Sequence, residues 1–444
     1  MKTLEMPSTV PANYALSDAA PLMKVGPDFA AHPETFRARQ QAAWEKFESL
    51  AMPVRTDESW RFADVKSLSI APFTRAEAVD DHEGAELLKR STGLVETSGR
   101  MVFGNDRLLA RDIYSDALRA KGVLWLPMEQ AIAEQAELIE KHFMRESGAL
   151  GSAKFAALHE SQVKAGTFLY VPRGVEIALP IETFHWLSGE GASVFPHTLI
   201  IAEENTKVTL VDYFQSASDD AGFACGVNDI VVGSGARVTY VAVQDWNRKT
   251  LAFHLNNTTV ARDASALALR LNLGGARVRD EAVSRLRGPG GRSDMLSISA
   301  AEGDQIFDQR TLQIHEAPNT ASDLLFKNSL NDKARTIFTG LILVEPGAHK
   351  TDAYQKVRNL LLSDEAEANS APGLEIEADD VRCTHGATSG QVDMEEIFYL
   401  QSRGIPLRLA HQLVTFGFLN EVIERLPGEP LQQKLRELLH GKLG

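Results

Sequence analysis

The chain has 444 residues, 44% hydrophobic and 24% charged, the balance of a globular protein with room for about three domains or one long β-architecture. Its net charge of −14 argues against a general nucleic-acid binder, which needs a basic surface to displace counterions, and against adhesion to anionic membranes. Two cysteines, Cys225 and Cys383, are too few for a disulfide framework, and no run approaches the ~20 apolar residues of a membrane span, so a cytoplasmic protein is expected.

The first ~25 residues are rich in Pro, Ser and Ala, lack the apolar core of a secretory signal, and are expected to be mobile. A helix is predicted from Pro33 to Ala51, where Pro33 suits a first turn and good helix formers follow until Met52-Pro53. In TDESWRFADVKSL, Thr56 is positioned to cap a short helix. A long helix is predicted from Leu126 to Met144, with Met128, Ile132, Ala136 and Ile139 at helical spacing, and a shorter one from Phe155 to Val163. Residues 1–165 therefore read as a helical region.

From Gly166 the texture changes. FLYVP, TLIIAEE, KVTLVDYF, DIVVG, RVTYVAV, TLAFHL, ALALRLNL, LSISA, RTLQIHE and RTIFTGLILV follow one another between Gly, Asn, Asp and Pro breaks. Alternation is clearest where Leu267, Leu269, Leu271 and Leu273 share one face and Ala268, Arg270 and Asn272 the other. No helix-length periodic segment falls between Gly166 and Asp393, which excludes a doubly wound α/β fold. Strand starts read as irregular, one every ~10–20 residues, and a sandwich, a large barrel and a β-solenoid all remain open. SDEAEAN (363–369) reads as a solvated loop and LRGPGGRSD (286–294) as a turn between strands.

After Asp393 the helical period returns. Asp393 and Glu396 resemble a capping box, and the helix they open stops at Gly404 before Ile405-Pro406. A longer helix is predicted over LRLAHQLVTFGFLNEVIERL, with Leu409, Leu413, Phe416, Leu419, Val422, Ile423 and Leu426 mostly on one face and Gly417 marking a kink or close contact. Pro427-Gly428 ends it, and PLQQKLRELLHGK closes the chain as an amphipathic helix.

The chain has no G-x-x-x-x-G-K-[ST], H-E-x-x-H, C-x-x-C or G-x-S-x-G, so ATP hydrolysis and the common hydrolase chemistries are not expected. Two cysteines cannot by themselves supply the four thiolates of a stable iron–sulfur cluster. What remains is VRCTH. Cys383 and His385 sit at i and i+2, which in a strand places a thiol and an imidazole on one face. These are ligand types for zinc, copper or iron–sulfur species, and any such site needs further ligands from a partner. The plain alternatives are a buried hydrophobic cysteine beside a hydrogen-bonded histidine, or a nucleophile with its base, for which no third, orienting residue is evident. Cys225 and His315 read as structural.

VRCTHGATSGQVDMEEIFYLQSRGI resembles the C-terminal signature of the SufB/SufD family of iron–sulfur cluster assembly proteins. The blocks before it, 315–330, 335–355 and 359–381, fit as well, and DESWRFADVKSL with few cysteines resembles the SufD branch. The resemblance implies a right-handed parallel β-helix core (166–392) between an N-terminal helical region (1–165) and a C-terminal helical domain (393–444). It implies a non-enzymatic scaffold that pairs with a SufB paralogue through the β-helix and binds the SufC ATPase through the C-terminal helices. Phe398, Tyr399, Arg403 and Gly404 are then expected in or near the ATPase surface. His385 and Cys383 are expected to hold iron or a nascent cluster transiently, shared with SufB, with no cofactor stably bound by the isolated chain. His159 departs from the asparagine frequent in relatives, within a segment that reads as a scaffold helix. The other readings are a β-helix enzyme acting on polysaccharide, for which no carboxylate cluster is evident, and a structural homodimer.

Overall fold

The computed structural model describes residues 32–444 apart from 66–67 and 113–115, so the opening segment expected to be mobile lies outside the described residues. Helix α1 (Glu34–Ser49) begins directly after Pro33 and buries Phe36, Ala43, Trp44 and Phe47. The short helix after it is a 3₁₀ turn at Glu58–Trp60, with Asp57 rather than Thr56 at its N-cap. Then come β1 (Thr74–Arg75), α2 (Asp81–Arg90), β2 (Gly99–Gly104), β3 (Arg107–Arg111), α3 (Asp116–Ala120), β4 (Leu124–Pro127), α4 (Met128–Glu134), α5 (Ala136–His142) and α6 (Ala153–Gln162).

Two expectations change here. The first 165 residues supply four strands as well as helices, and β2 and β4 join the two large sheets. The single helix from Leu126 to Met144 is instead the end of β4 and two short helices that part at Gln135. Residues Leu124–Pro127 pair antiparallel with 167–170, and sheet pairing overrides their helical spacing. Met128, Ile132 and Ile139 still bury in one cluster, but Ala136, expected on the same face, is exposed at the start of the second helix.

Beyond α6 the chain winds as a β-solenoid. Its strands are β5 (Gly166–Val171), β6 (Ile181–Leu187), β7 (Ala192–Val194), β8 (His197–Ala202), β9 (Lys207–Ser216), β10 (Gly222–Val232), β11 (Arg237–Asp245), β12 (Leu251–Val260), β13 (Ser265–Asn272), β14 (Arg277–Leu286), β15 (Arg292–Ala301), β16 (Ile306–His315), β17 (Ala321–Leu330), β18 (Arg335–Val344), β19 (Asp352–Leu361), β20 (Glu367–Ile376) and β21 (Arg382–Gln391). From β8 onward the even strands stack in one parallel sheet and the odd strands in the other, in about eight turns. The acidic loop expected at 363–369 gives way to strand from Glu367.

The coils are similar but unequal in length: Leu251 lies opposite Arg277, 26 residues on, Ile306 opposite Arg335, 29 on, and Arg335 opposite Glu367, 32 on. Each turn from even to odd strand holds a residue in the left-handed conformation: Asn205, Gly235, Asp263, Gly290, Asn319, Lys350 (with Gly347 in the same turn) and Asp380; Gly275, Gly303 and Asp332 take it in turns from odd to even strand. Asn, Asp and Gly tolerate that conformation, so the repeat is written in turn chemistry rather than in the strands. The turns also bond to one another: Asn205 N donates to Ser234 O and Lys350 N to Asp380 O, both at 2.8 Å.

The alternation in β13 is real, but its faces are reversed from a simple core. Leu269, Leu271 and Leu273 point outward, under the C-terminal helices, while Arg270 and Asn272 point into the bore. The bore is polar along much of its length. Asp212 accepts from Thr198 and Tyr240, Arg270 pairs with Asp280 at 2.6 Å, and Asn328 donates to Asn359, which donates to Ser389. The N-terminal helices cover the outer face of the even sheet, where His159 is buried and bonds His197 at 3.0 Å, as fits a scaffold helix.

Helices α7 (Met394–Ser402), α8 (Leu407–Ile423) and α9 (Glu429–Leu443) follow β21. Leu419, Val422, Ile423, Leu431, Leu435 and Leu439 pack on the outer face of the odd sheet. Lys327 reaches out to Phe418 O at 2.6 Å and pairs with Glu421. Leu409 and Leu413, expected on the buried face of α8, are exposed, and Ala410 and Thr415 are buried instead. The seven apolar residues span about half the helix circumference, and only one edge of that arc meets the sheet. Gly417 has no close contact: a Cβ there would meet nothing within 4 Å. Asp393 caps α7 through Glu395 N at 2.8 Å, without the reciprocal bond of a box. No helix among the described residues is long and apolar enough to cross a membrane.

Candidate functional site

The solenoid ends on β20 and β21, the terminal members of the two sheets. Each has ten residues and is paired along one side only; β21 is largely exposed, and β20 is partly to fully exposed with no residue buried. The outer side of each presents unpaired backbone N–H and C=O groups, a template for another strand.

Cys383 lies in register with Ala353, and His385 with Gln355, both buried residues of β19. The two side chains therefore face the solenoid axis on its last coil, with no further coil above them. The sequence expectation that both share one face agrees with this geometry. Cys383 is half-buried against Ala353, Leu374 and Val381, while His385 is exposed. Burial pushes the Cys383 thiol above its ordinary range, a backbone hydrogen bond to Ala353 pulls the other way, and the Asp352 charge adds to the rise. At neutral pH the thiol is protonated, so a metal ion bound there must displace that proton. Among the described residues no group of three His, Cys, Asp or Glu side chains could hold a metal ion. The pair offers at most two ligands, and a complete site would draw the rest from another chain.

The second exposed feature is on α7 and the start of α8. Only Ile397 of α7 is buried. Phe398 is 71% exposed and Tyr399 58%, with the Arg403 guanidinium 5.1 Å from the Tyr399 ring centre. Gly404 ends the helix at φ +86°, which the left-handed turn requires. Met394, Leu407, Leu409 and Leu413 add exposed apolar surface in the same stretch. The sequence marks Leu409 and Leu413 only as part of an apolar helix face and does not mark Met394 or Leu407, because apolar spacing in a helix marks burial without saying against what.

The two residues read as structural are so. Cys225 is buried among Phe155, Phe223 and Phe253, and burial pushes its thiol far up. His315 bonds Thr320 through Nδ1 and Ser322 through Nε2, and burial pushes it down to about 4.

Comparison with known proteins agrees with this architecture. Residues 185–418 match the family model described as "SUF system FeS cluster assembly, SufBD core domain", and residues 29–183 match the SufBD protein N-terminal region. The iron–sulfur cluster assembly protein SufD of Bacillus subtilis is 30% identical over 90% of this chain and 92% of its own length. SufD of Escherichia coli is 30% identical over 86% of this chain and 88% of its own length. A SufBD family protein of Synechocystis is 26% identical over 90% of this chain and 89% of its own. A core model that spans more than half of the chain, with relatives matched almost end to end, makes this chain a member of the SufBD family of iron–sulfur cluster assembly proteins.

Proposed function

We propose that the chain is a non-enzymatic scaffold subunit of the SUF iron–sulfur cluster assembly system. It pairs with a SufB paralogue through the open end of the solenoid and binds the SufC ATPase through α7 and the start of α8. The observation that carries this reading is the pair of ten-residue edge strands, one of which holds Cys383 and His385 toward the axis. A partner solenoid that abuts this end would extend both sheets and bring its own ligands to the Cys-x-His pair. Iron or a nascent cluster is the cargo of that shared site and is not retained by the isolated chain. Phe398, Tyr399, Arg403 and Gly404 form the centre of the ATPase surface, and aromatic anchors of this kind dominate binding energy. Closure of two ATPase subunits on ATP would then strain and open the interface that holds the ligands.

The test is reconstitution with the SufB and SufC partners, carrying His385→Ala or Cys383→Ala, followed by iron and sulfide analysis of the isolated complex. The complex is expected to assemble, with cluster content reduced severalfold by His385→Ala. Wild-type iron and sulfide in both variants would reduce the pair to packing. The same edges fit a second copy of this chain when the paralogue is absent, which gel filtration with and without SufB resolves.

A further inference from the structure

The last coil of the solenoid, residues 362–391, holds seven acidic side chains against one basic one, Arg382, a net of −6 out of the chain's −14. The coil beneath it, residues 331–361, has three acidic and five basic side chains, a net of +2. The reversal sets in where the solenoid ends. All seven acidic residues are exposed. Two are neutralised from below, Glu365 by Lys333 at 3.6 Å and Glu367 by Arg335 at 2.9 Å, and Asp364 accepts from Gln391 at 3.0 Å. Glu375 on β20, and Glu377, Asp379 and Asp380 in the turn to β21, have no ion-pair partner among the described residues. Lys350, in the turn below, and Arg382 are the only Lys or Arg beside them in the sequence of the two turns.

That turn is also where the solenoid lacks a neighbour. Along the stack, the left-handed residue of one turn donates its N–H to a carbonyl of the next: Gly235 to Arg262, Asp263 to Pro289, Asn319 to His349 and Lys350 to Asp380, at 2.8–3.0 Å. Asp380 holds the last such N–H, and no turn follows to accept it. Edge strands and turn alike are shaped for a further coil, and charge decides whose. A second copy of this chain offers a matching backbone, but a symmetric pair brings the same patch of each copy together, so the acidic coils face one another. Paired strands stand about 4.8 Å apart, inside the Debye length of about 8 Å at physiological ionic strength, so this repulsion is felt.

We propose that the acidic last coil selects the partner: the open end takes a solenoid whose abutting coil is rich in Lys and Arg, and it disfavours a second copy of this chain. The inference rests on the pairing proposed above and adds what sets the paralogue apart from a self-pair. Opposed like charges suppress wrong partners, while complementary ones steer the right one into register.

The experiment is sedimentation equilibrium on the full chain, alone and mixed with the SufB paralogue, in about 50 mM and about 500 mM sodium chloride. The paralogue is expected to bind at least about tenfold more weakly in the higher salt, and the chain alone to self-associate more strongly there. The variant Glu375→Gln/Glu377→Gln/Asp379→Asn changes only exposed side chains outside any ion pair. In the lower salt it is expected to self-associate severalfold more tightly than the wild type and to bind the paralogue severalfold more weakly. The inference is overturned if the wild type holds the paralogue equally well in both salts, or if the variant self-associates no more than the wild type in the lower salt. Ala387→Lys, which places a cation at the open end, tells this failure from failure of the pairing itself. If that variant still binds the paralogue, the pairing surface lies elsewhere and both readings fall; if it does not, a missing salt response overturns the charge inference alone.

Discussion

Lys350 occupies a turn position at which the other coils place Asn, Asp or Gly, yet it holds φ at +59°. For an L-residue with a long side chain the left-handed region costs ~1 kcal/mol or more, a penalty that Asn reduces by bonding locally. Lys350 is exposed, and its backbone N–H already bonds Asp380 O, so the substitution changes no packing. Lys350→Asn is expected to raise stability by about 0.5–1 kcal/mol, read as a higher denaturant midpoint. An unchanged or lower midpoint would mean that the Lys350 turn carries no strain. The residue scale also shows what the sequence can and cannot tell about the candidate site. The i, i+2 spacing of Cys383 and His385 settles that they share a face once the segment is a strand. It does not settle which face, because an alternating pattern reads the same from either side. In β13 the leucines point outward and the arginine inward, the reverse of a water-facing strand, because helices cover the outside.

Edges are a property of elements. Strands β20 and β21 differ from those before them only in having no next coil, and their sequences carry a matching signal. Ser389 and Gly390 sit where earlier coils place Asn359 and Leu360. Ala387, in register with the buried Val357, faces the axis at the open end. A cation there is exposed in the free chain, but would be buried without a partner once another solenoid abuts it. Inward-pointing charge is the device by which natural edge strands avoid pairing. Ala387→Lys is therefore expected to leave the denaturation midpoint of the isolated chain nearly unchanged while abolishing co-purification with the SufB paralogue. Co-purification at wild-type yield would move the pairing surface away from this end. Element by element, the strands themselves were legible from β-branched runs and turn residues. Strands such as β14 and β17, rich in Arg, Asp, Lys and Asn, were not, since their buried charged residues find ion-pair partners, the buried Asp308 for Arg279 and the part-exposed Glu421 for Lys327. The coil repeat was hidden for a related reason. A solenoid constrains turn conformation and side-chain volume at each position, and many residues satisfy both.

The whole molecule carries a further consequence of a polar bore and covered faces: it buries histidines without charging them. His185, stacked between Phe103 and Phe214, is pushed down to about 3, and His254 and His315 to about 4, in each case by burial first. His159 is lowered well below its ordinary value by burial and by the neighbouring His197. In the unfolded chain each returns to ~6.5. Below that pH the unfolded state binds protons that the folded state refuses, so the stability present above pH 6.5 is lost as pH falls toward the folded values. Asp212 acts in the opposite sense. Burial raises it to about 6, so the folded state takes up its proton first and gains stability on acidification between about 6 and 4. Burial also raises Asp106, Asp245, Asp280 and Asp294, in the same sense as Asp212, which is the one raised as far as about 6. One unit below 6.5, each histidine costs a little over ~1 kcal/mol, ~4 kcal/mol for three, while Asp212, the aspartate raised furthest into this range, returns less than ~1 kcal/mol. Against a typical native margin of about 5–15 kcal/mol, that is a large fraction. The denaturation midpoint is expected to fall steeply between pH 7 and pH 5.5, and His254→Gln should flatten the fall by about a third. A midpoint that is flat across this range, or one that rises with acid, would mean that the bore takes up protons freely and is open to solvent in the native state.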